Sequence, residues 1–254
     1  MRRKIMFGYL VSIIMPSYNS SSTIKRSVLS VINQTYPYWE LIISDDCSKD
    51  NSLQIINDLI SLDSRIVLVT SSLNTGAAAT RNRAITYARG RFIAFLDSDD
   101  TWEPDKLKIQ IDYMLKNNYP FTYTNYFVNK YNHKATTYKP VSRINYHKCL
   151  YNNPIGCLTA VYDTNFLGKI YMPENAPKRE DYATWLNILK KVEYGYKIDE
   201  CLATYYVGNN SLSSRKLKMI KHQFHLYYSV EKISFFSSLF LVLVYSLNKL
   251  FKYK

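Results

Sequence analysis

Short apolar runs alternate with stretches of helical period through the first hundred residues. Val11-Ser12-Ile13-Ile14-Met15 is the first run, and Pro16 ends it. Between Ser22 and Asn33, Ile24, Val28, Leu29 and Ile32 recur at helical spacing. A strand from Trp39 to Ser44 centres on Glu40-Leu41-Ile42-Ile43, and Asp50 with Asn51 caps a helix reaching Leu62. Arg65 to Thr70 is a third strand. Gly76 opens an alanine-rich helix ending near Gly90, Phe92 to Leu96 is a fourth strand, and Pro104 begins a further helix. Strands spaced by helices of this length predict an α/β fold, a mostly parallel central sheet with right-handed crossovers and flanking helices. Ligands of such sheets sit beyond the carboxyl ends of the strands.

The second half is less regular. Phe121 to Tyr138 alternates aromatic and polar residues, as an antiparallel hairpin would. Residues 154–161 read as loop into strand. Arg179 to Val192 reads as an amphipathic helix with Trp185, Ile188, Leu189 and Val192 on one side. Ile233 to Leu247 is nearly all apolar apart from serines, and Lys249, Lys252 and Lys254 follow it. That run is shorter than the roughly 20 residues a spanning helix needs. Phe235, Phe236, Phe240 and Tyr245 beside lysines favour an in-plane helix on an anionic membrane surface over a C-terminal helix packed on the sheet.

The chain has 254 residues, enough for one large domain plus a tail. A net charge of +13 implies an anionic partner: nucleic acid, a phosphate-bearing small molecule or an acidic membrane face. Cys47, Cys149, Cys157 and Cys201 show neither CxxC nor zinc spacing, so they read as reduced thiols without metal. Arg2, Arg3 and Lys4 precede only a short apolar stretch, which does not read as a cleavable signal peptide.

Asp97-Ser98-Asp99-Asp100 follows the fourth strand. Three carboxylates in four positions repel one another unless something positive sits between them. A hard divalent cation, shared with a diphosphate, is the simplest such object. An Asp-rich turn capping the helix at Pro104 is the alternative. Asp97 and Asp99 are two positions apart and, if extended, face one side. At the other strand ends stand Pro16-Ser17-Tyr18-Asn19, Asp45-Asp46 and Ser71 to Asn74. Asp45 suits a hydrogen bond from a uracil ring N–H; Asp46 suits that or a turn cap. Gly76 permits close backbone approach. Arg81 suits the base, the phosphates or a surface ion pair.

These motifs, with Asn74-Thr75-Gly76 through Arg81-Asn82 and Arg179-Glu180-Asp181-Tyr182, resemble the inverting glycosyltransferases of family 2, over about residues 9–215. Within that family the chain is similar to bacterial enzymes of surface-polysaccharide assembly, of the teichuronic acid and O-antigen kind; residues 153–159 add to the likeness. The resemblance implies the GT-A fold: a catalytic domain over 1–215, with a nucleotide half at about 9–103 and an acceptor half at about 104–215, then a basic, apolar helical tail over 216–254. It implies a UDP-sugar donor (UDP-glucose or UDP-galactose), a lipid-diphosphate-linked saccharide acceptor of the undecaprenyl type, and peripheral placement at the cytoplasmic face of a bacterial inner membrane, with no nucleic acid partner. Pro16, Ser17, Tyr18, Asn19, Asp45, Asp46, Gly76, Arg81, Asp97 and Ser98 would then bind the nucleotide, Tyr18 by stacking on uracil. Asp99, with Asp97, would hold Mn²⁺ or Mg²⁺. Asp181 would be the catalytic base, with helix capping as its structural alternative, and Glu180 would orient the acceptor. Trp185 lines the sugar pocket or the core. One departure stands out: relatives often carry Arg and His at the places of Tyr206 and Gly208. Ser211, Ser213, Arg215 or Lys216 would then serve instead of the His. A nucleotidyltransferase and a nucleic-acid-binding protein are the rival readings. The first lacks a glycine- and lysine-rich phosphate loop, and the second lacks an RRM or KH pattern.

Overall fold

Period-two alternation sorts the strand side chains onto two faces, and each face builds its own core. The structure is a computed structural model that describes residues 8–130, 135–207 and 216–251. Strands β1 (Val11–Ser17), β2 (Trp39–Asp45), β3 (Ile66–Thr70) and β4 (Phe92–Phe95) are mutually parallel, in the order β3-β2-β1-β4. Helices α1 (Ile24–Ile32), α2 (Ser52–Ile60) and α3 (Ala77–Tyr87) cross between them. Val11, Ile13, Met15, Leu41, Ile43, Phe92 and Ala94 pack on one side with α1 and α2, and Ile14, Ile42, Ile93 and Phe95 on the other with α3. A strand buried on both faces reads as a continuous apolar run, which is why β1, β2 and β4 were visible in the sequence; β3, at the sheet edge, is partly exposed yet keeps the apolar run Ile66 to Val69.

The sheet continues without a break into the second half. It adds β9 (Val161–Asp163), β6 (Phe121–Lys130), β10 (Gly195–Val207) and β5 (Thr101–Trp102) in that order, with β7 (Thr136–Tyr138) on β6 and β8 (Arg143–Ile144) on β10. The expected hairpin is β6 with β7, antiparallel. β9 runs antiparallel between β4 and β6, while β10 returns parallel to β6. Helix α4 (Lys106–Asn117) covers the first face; α5 (Tyr146–Tyr151), α7 (Glu180–Leu189) and α9 (Phe235–Phe251) cover the other, and α6 (Thr164–Leu167) and α8 (Lys216–His225) complete the set.

One expectation changes and two open alternatives are decided. Pro16 does not end β1, which pairs with β2 as far as Ser17↔Asp45. Its missing N–H would face β4, where pairing has already stopped at Ile14↔Phe95, so nothing is lost. Trp185 is fully buried, edge-on to Phe95 with centroids 5.5 Å apart, and belongs to the core. The tail does pack on the domain: Ser238, Leu241, Val242 and Tyr245 of α9 are buried. Its opposite face stays exposed, and no helix among the described residues is long and apolar enough to cross a membrane.

Lys106 is fully buried at the start of α4, donating to Gln110 Oε1 (2.7 Å) and lying 4.1 Å from the Trp102 ring centroid. Burial pushes its ammonium down to about 7. Above that pH the folded chain has released a proton that the unfolded chain still holds, so stability rises with pH towards the free lysine value. The wild type should therefore gain about 2 kcal/mol over Lys106→Met between pH 7 and pH 9, read from urea midpoints. Parallel profiles would place the amine in contact with water.

Candidate active site

The loops beyond β1 and β2 are stitched together by short polar side chains. Asn19 takes the left-handed conformation (φ 48°), which asparagine tolerates. Its N–H donates to Ser48 Oγ (2.9 Å) and its Oδ1 accepts from Lys49 N–H (2.8 Å). Asp45 is buried and accepts from Ser48 N–H (2.9 Å), Ser48 Oγ (2.6 Å) and Ser17 Oγ (3.3 Å). An ionised carboxylate has about four acceptor sites, so one remains for a ligand donor. Asp46 accepts from Thr75 N–H (2.9 Å), Thr75 Oγ1 (2.7 Å) and Gly76 N–H (2.8 Å). Burial alone would raise its carboxyl, but these bonds outweigh it and hold it below the usual range. Asp46 thus clamps the loop that opens α3, where Gly76 turns at φ 85°. Tyr18 is 51% exposed, so its ring is not taken up in the core. Ser98 is partly exposed on the turn after β4.

That turn closes with Asp100 N–H donating to Asp97 O (3.1 Å). Asp100 points inward and accepts from Tyr206 N–H (3.0 Å), tying the turn to the end of β10. Burial, then Asp97 and Asp99, push its carboxyl well above the ordinary range. Asp99 is exposed at the tip of the turn, and partial desolvation, then the Asp97 charge, raise its carboxyl. Two cations meet the cluster. Arg26 of α1 donates to the Asp99 carbonyl (2.6 Å) and stacks 3.6 Å over the Tyr206 ring. Arg81 of α3 is buried, pairs with Asp97 Oδ1 and lies 3.7 Å from Glu180 Oε1. This corrects the surface ion pair considered for Arg81: it is an internal bridge from the turn after β4 to the first turn of α7.

Glu180 and Asp181 begin α7. Glu180 Oε2 is buried without a hydrogen-bond partner among the described residues. Asp181 Oδ1 accepts from Tyr182 N–H (2.7 Å), which uses one carboxylate oxygen in the first helical turn. Burial, then the Glu180 charge, push Asp181 above the usual range, which makes its ionised form a stronger proton acceptor. The Cys157 thiol, in the short helical turn before β9, is raised first by burial and then by Asp97, with Arg81 opposing, so it lies within electrostatic reach of this cluster.

Among the described residues no three His, Cys, Asp or Glu side chains converge to cage a metal. Asp97 and Asp99 offer two carboxylates at one turn, and Asp97 gives one oxygen to Arg81. Mg²⁺ and similar hard cations are commonly held by one or two carboxylates with the substrate's phosphates, so this donor set fits such an ion. Gly208, Ser211, Ser213 and Arg215 lie outside the described residues, as does the side chain of Lys216. Sequence reasoning missed Arg26, Arg83 and Asn82 as organising groups. Arg83 donates to Thr75 Oγ1 (2.9 Å) and Ser44 Oγ (3.1 Å), and Asn82 pairs both ends of its amide with the Met172 backbone (2.9 and 2.7 Å). The repeated Arg-x-Arg of α3 was the available signal; its partners lie far off in sequence.

A mostly parallel sheet with acidic strand ends, and a carboxylate-bearing helix facing them, defines a glycosyltransferase of GT-A architecture. The family model for glycosyl transferase family 2 matches residues 12–172, and the chain belongs to that family. It is 40% identical over 247 residues to a glycosyltransferase of Bacillus subtilis (strain 168) named for teichuronic acid biosynthesis, TuaG, covering 94% of this chain and 95% of that one. It is 45% identical over 221 residues to WfgD of Escherichia coli, a UDP-Glc:α-D-GlcNAc-diphosphoundecaprenol β-1,3-glucosyltransferase, covering 86% and 85%. Among solved structures, Staphylococcus aureus TarS 1–349 in complex with UDP-GlcNAc superposes with a TM-score of 0.71 at 19% identity, covering 92% of this chain and 71% of that one.

Proposed function

We propose that the protein transfers glucose or galactose from a UDP-sugar to a lipid-diphosphate-linked saccharide, with inversion, during assembly of a bacterial surface polysaccharide. The observation that carries this reading is the Arg81 bridge, which brings a nucleotide-side carboxylate, Asp97, and an acceptor-side pair, Glu180 and Asp181, into one cluster. WfgD, whose name states such a donor and acceptor, supports the substrate class. In this reading residues 9–103 hold the donor. Tyr18 stacks on uracil, and Asp45 takes the ring N–H with its remaining acceptor site. Asp97 and Asp99 hold Mg²⁺ or Mn²⁺, which when bound neutralises the diphosphate. Residues 104–215 present the acceptor. Its hydroxyl oxygen attacks the anomeric carbon, its proton passes to Asp181, and UDP leaves with the electrons of the sugar–oxygen bond. Glu180 Oε2, buried and without a partner among the described residues, accepts from a second acceptor hydroxyl. The work takes place peripherally, at the cytoplasmic face of the inner membrane.

A donor panel with a synthetic GlcNAc-diphosphate-lipid acceptor tests this directly. UDP-glucose or UDP-galactose should be consumed, and EDTA or Asp99→Ala should each lower turnover on the order of 100-fold. Full turnover in both conditions would remove the metal from the reading. Failure of every UDP-sugar would remove the reading itself.

A further inference from the structure

The two faces of α9 have opposite surroundings. Ser238, Leu241, Val242 and Tyr245 are buried against the domain. Phe236, Leu239, Phe240, Leu243 and Leu247 form an exposed stripe at helical spacing, and Phe236 is 82% exposed. Phe235 and Tyr228 extend the patch. A contiguous exposed apolar strip of this kind marks an interaction surface. Lys221 and Lys232 are exposed on the elements that lead into α9, and as sequence residues 216–254 hold seven lysines against one acidic residue, Glu231. Glu231 itself is neutralised internally by Lys190 (2.7 Å).

The buried face of α9 touches the catalytic helix. The Tyr245 ring lies nearly parallel to Tyr182, 6.0 Å between centroids, and Arg179 sits 5.7 Å from the Tyr245 centroid. Tyr182 adjoins Asp181. At the Tyr245 end of α9, the exposed face is thus separated from the start of α7 by the width of one helix.

We propose that α9 docks in the plane of an anionic bilayer, its stripe in the headgroup–acyl boundary and its lysines on lipid phosphates. The inference rests on the lipid-linked acceptor proposed above, and it names the surface that delivers that acceptor to Asp181. A helix of 17 residues spans about 25 Å, less than the hydrocarbon core, so it lies on the bilayer and does not cross it. The excess of one charge sign selects among occupants. Across a two-fold axis it would set lysine against lysine, whereas an anionic leaflet attracts it.

The test is co-sedimentation of the full chain with vesicles of phosphatidylglycerol and phosphatidylcholine. The wild type should bind phosphatidylglycerol vesicles and release them in high salt. Phe236→Ser/Phe240→Ser/Leu243→Ser should bind at least about tenfold more weakly with an unchanged melting temperature. Lys221→Glu/Lys232→Glu, which leaves the stripe intact, should lose the preference for anionic lipid. Transfer to a short-chain, water-soluble acceptor should be unaffected by either variant. Equal binding by wild type and triple variant would overturn the proposal. So would a wild-type dimer, seen by sedimentation velocity, that the triple variant dissociates and that ignores vesicles. If vesicle binding behaves as stated while no UDP-sugar reacts, docking stands and the proposed reaction falls.

Discussion

Asp181→Asn should lower kcat by about a thousandfold and leave UDP affinity within about twofold. The magnitude is that of a lost general base. The substitution keeps size and shape, and an amide oxygen still accepts the Tyr182 N–H bond (2.7 Å), so the start of α7 keeps its geometry. On the proposed mechanism, what is lost is the capacity to take a proton from the acceptor hydroxyl. The base also has a signature in pH. Burial and the neighbouring Glu180 charge raise the Asp181 carboxyl, so its active, ionised form appears only above the usual aspartate range. The acid limb of kcat/KM should lie correspondingly high. Glu180→Gln removes the like charge and should move that limb to lower pH, even where it weakens acceptor binding. Radiolabelled transfer across pH 4–8, with calorimetric UDP titration, separates the cases. Equal loss of transfer and UDP affinity in Asp181→Asn would make the residue structural.

Much of this site was legible because its parts sit at strand ends. The runs at β1, β2, β3 and β4 are continuous and apolar, so the acidic groups after them stood out as strand termini. β10 was not legible. It runs from Gly195 to Val207, but its register against β6 shifts between Ile198 and Cys201 and again between Cys201 and Thr204. Each irregularity shifts which residues face inward, so period-two alternation is lost across Lys197, Asp199 and Glu200. The inward contact of Asp100 was hidden for the same reason: its partner is a backbone N–H of that strand. Arg81 was placed on α3 correctly, yet its partners lie 16 and 99 positions away, and no local pattern encodes such pairs. For α9 the apolar run suggested both core and membrane; only packing shows that Leu241 and Tyr245 face inward while Phe236 and Phe240 face out.

Removing the Arg81 guanidinium should have the second large effect. Arg81→Met leaves Asp97 and the buried Glu180 without their shared cation. Breaking one side of a buried ion pair costs about 3–5 kcal/mol; water reaches a third of the Asp97 side chain, so about 2–4 kcal/mol is expected from the urea midpoint. Activity should fall further than stability accounts for, because the same bridge sets the turn after β4 against the first turn of α7. Arg81→Lys separates the two contributions. An ammonium restores charge but cannot fork to two carboxylates, so stability should recover in part while kcat stays low. The cycle with Glu180→Gln locates the coupling. Arg81→Met/Glu180→Gln should be less destabilised than the sum of its single variants, by about 1 kcal/mol or more, since a neutral amide in place of the Glu180 carboxylate no longer needs the cation. Additive effects would confine the role of Arg81 to Asp97, and the link between donor and acceptor sides would then have to run through the Asp100–Tyr206 contact (3.0 Å) and β10.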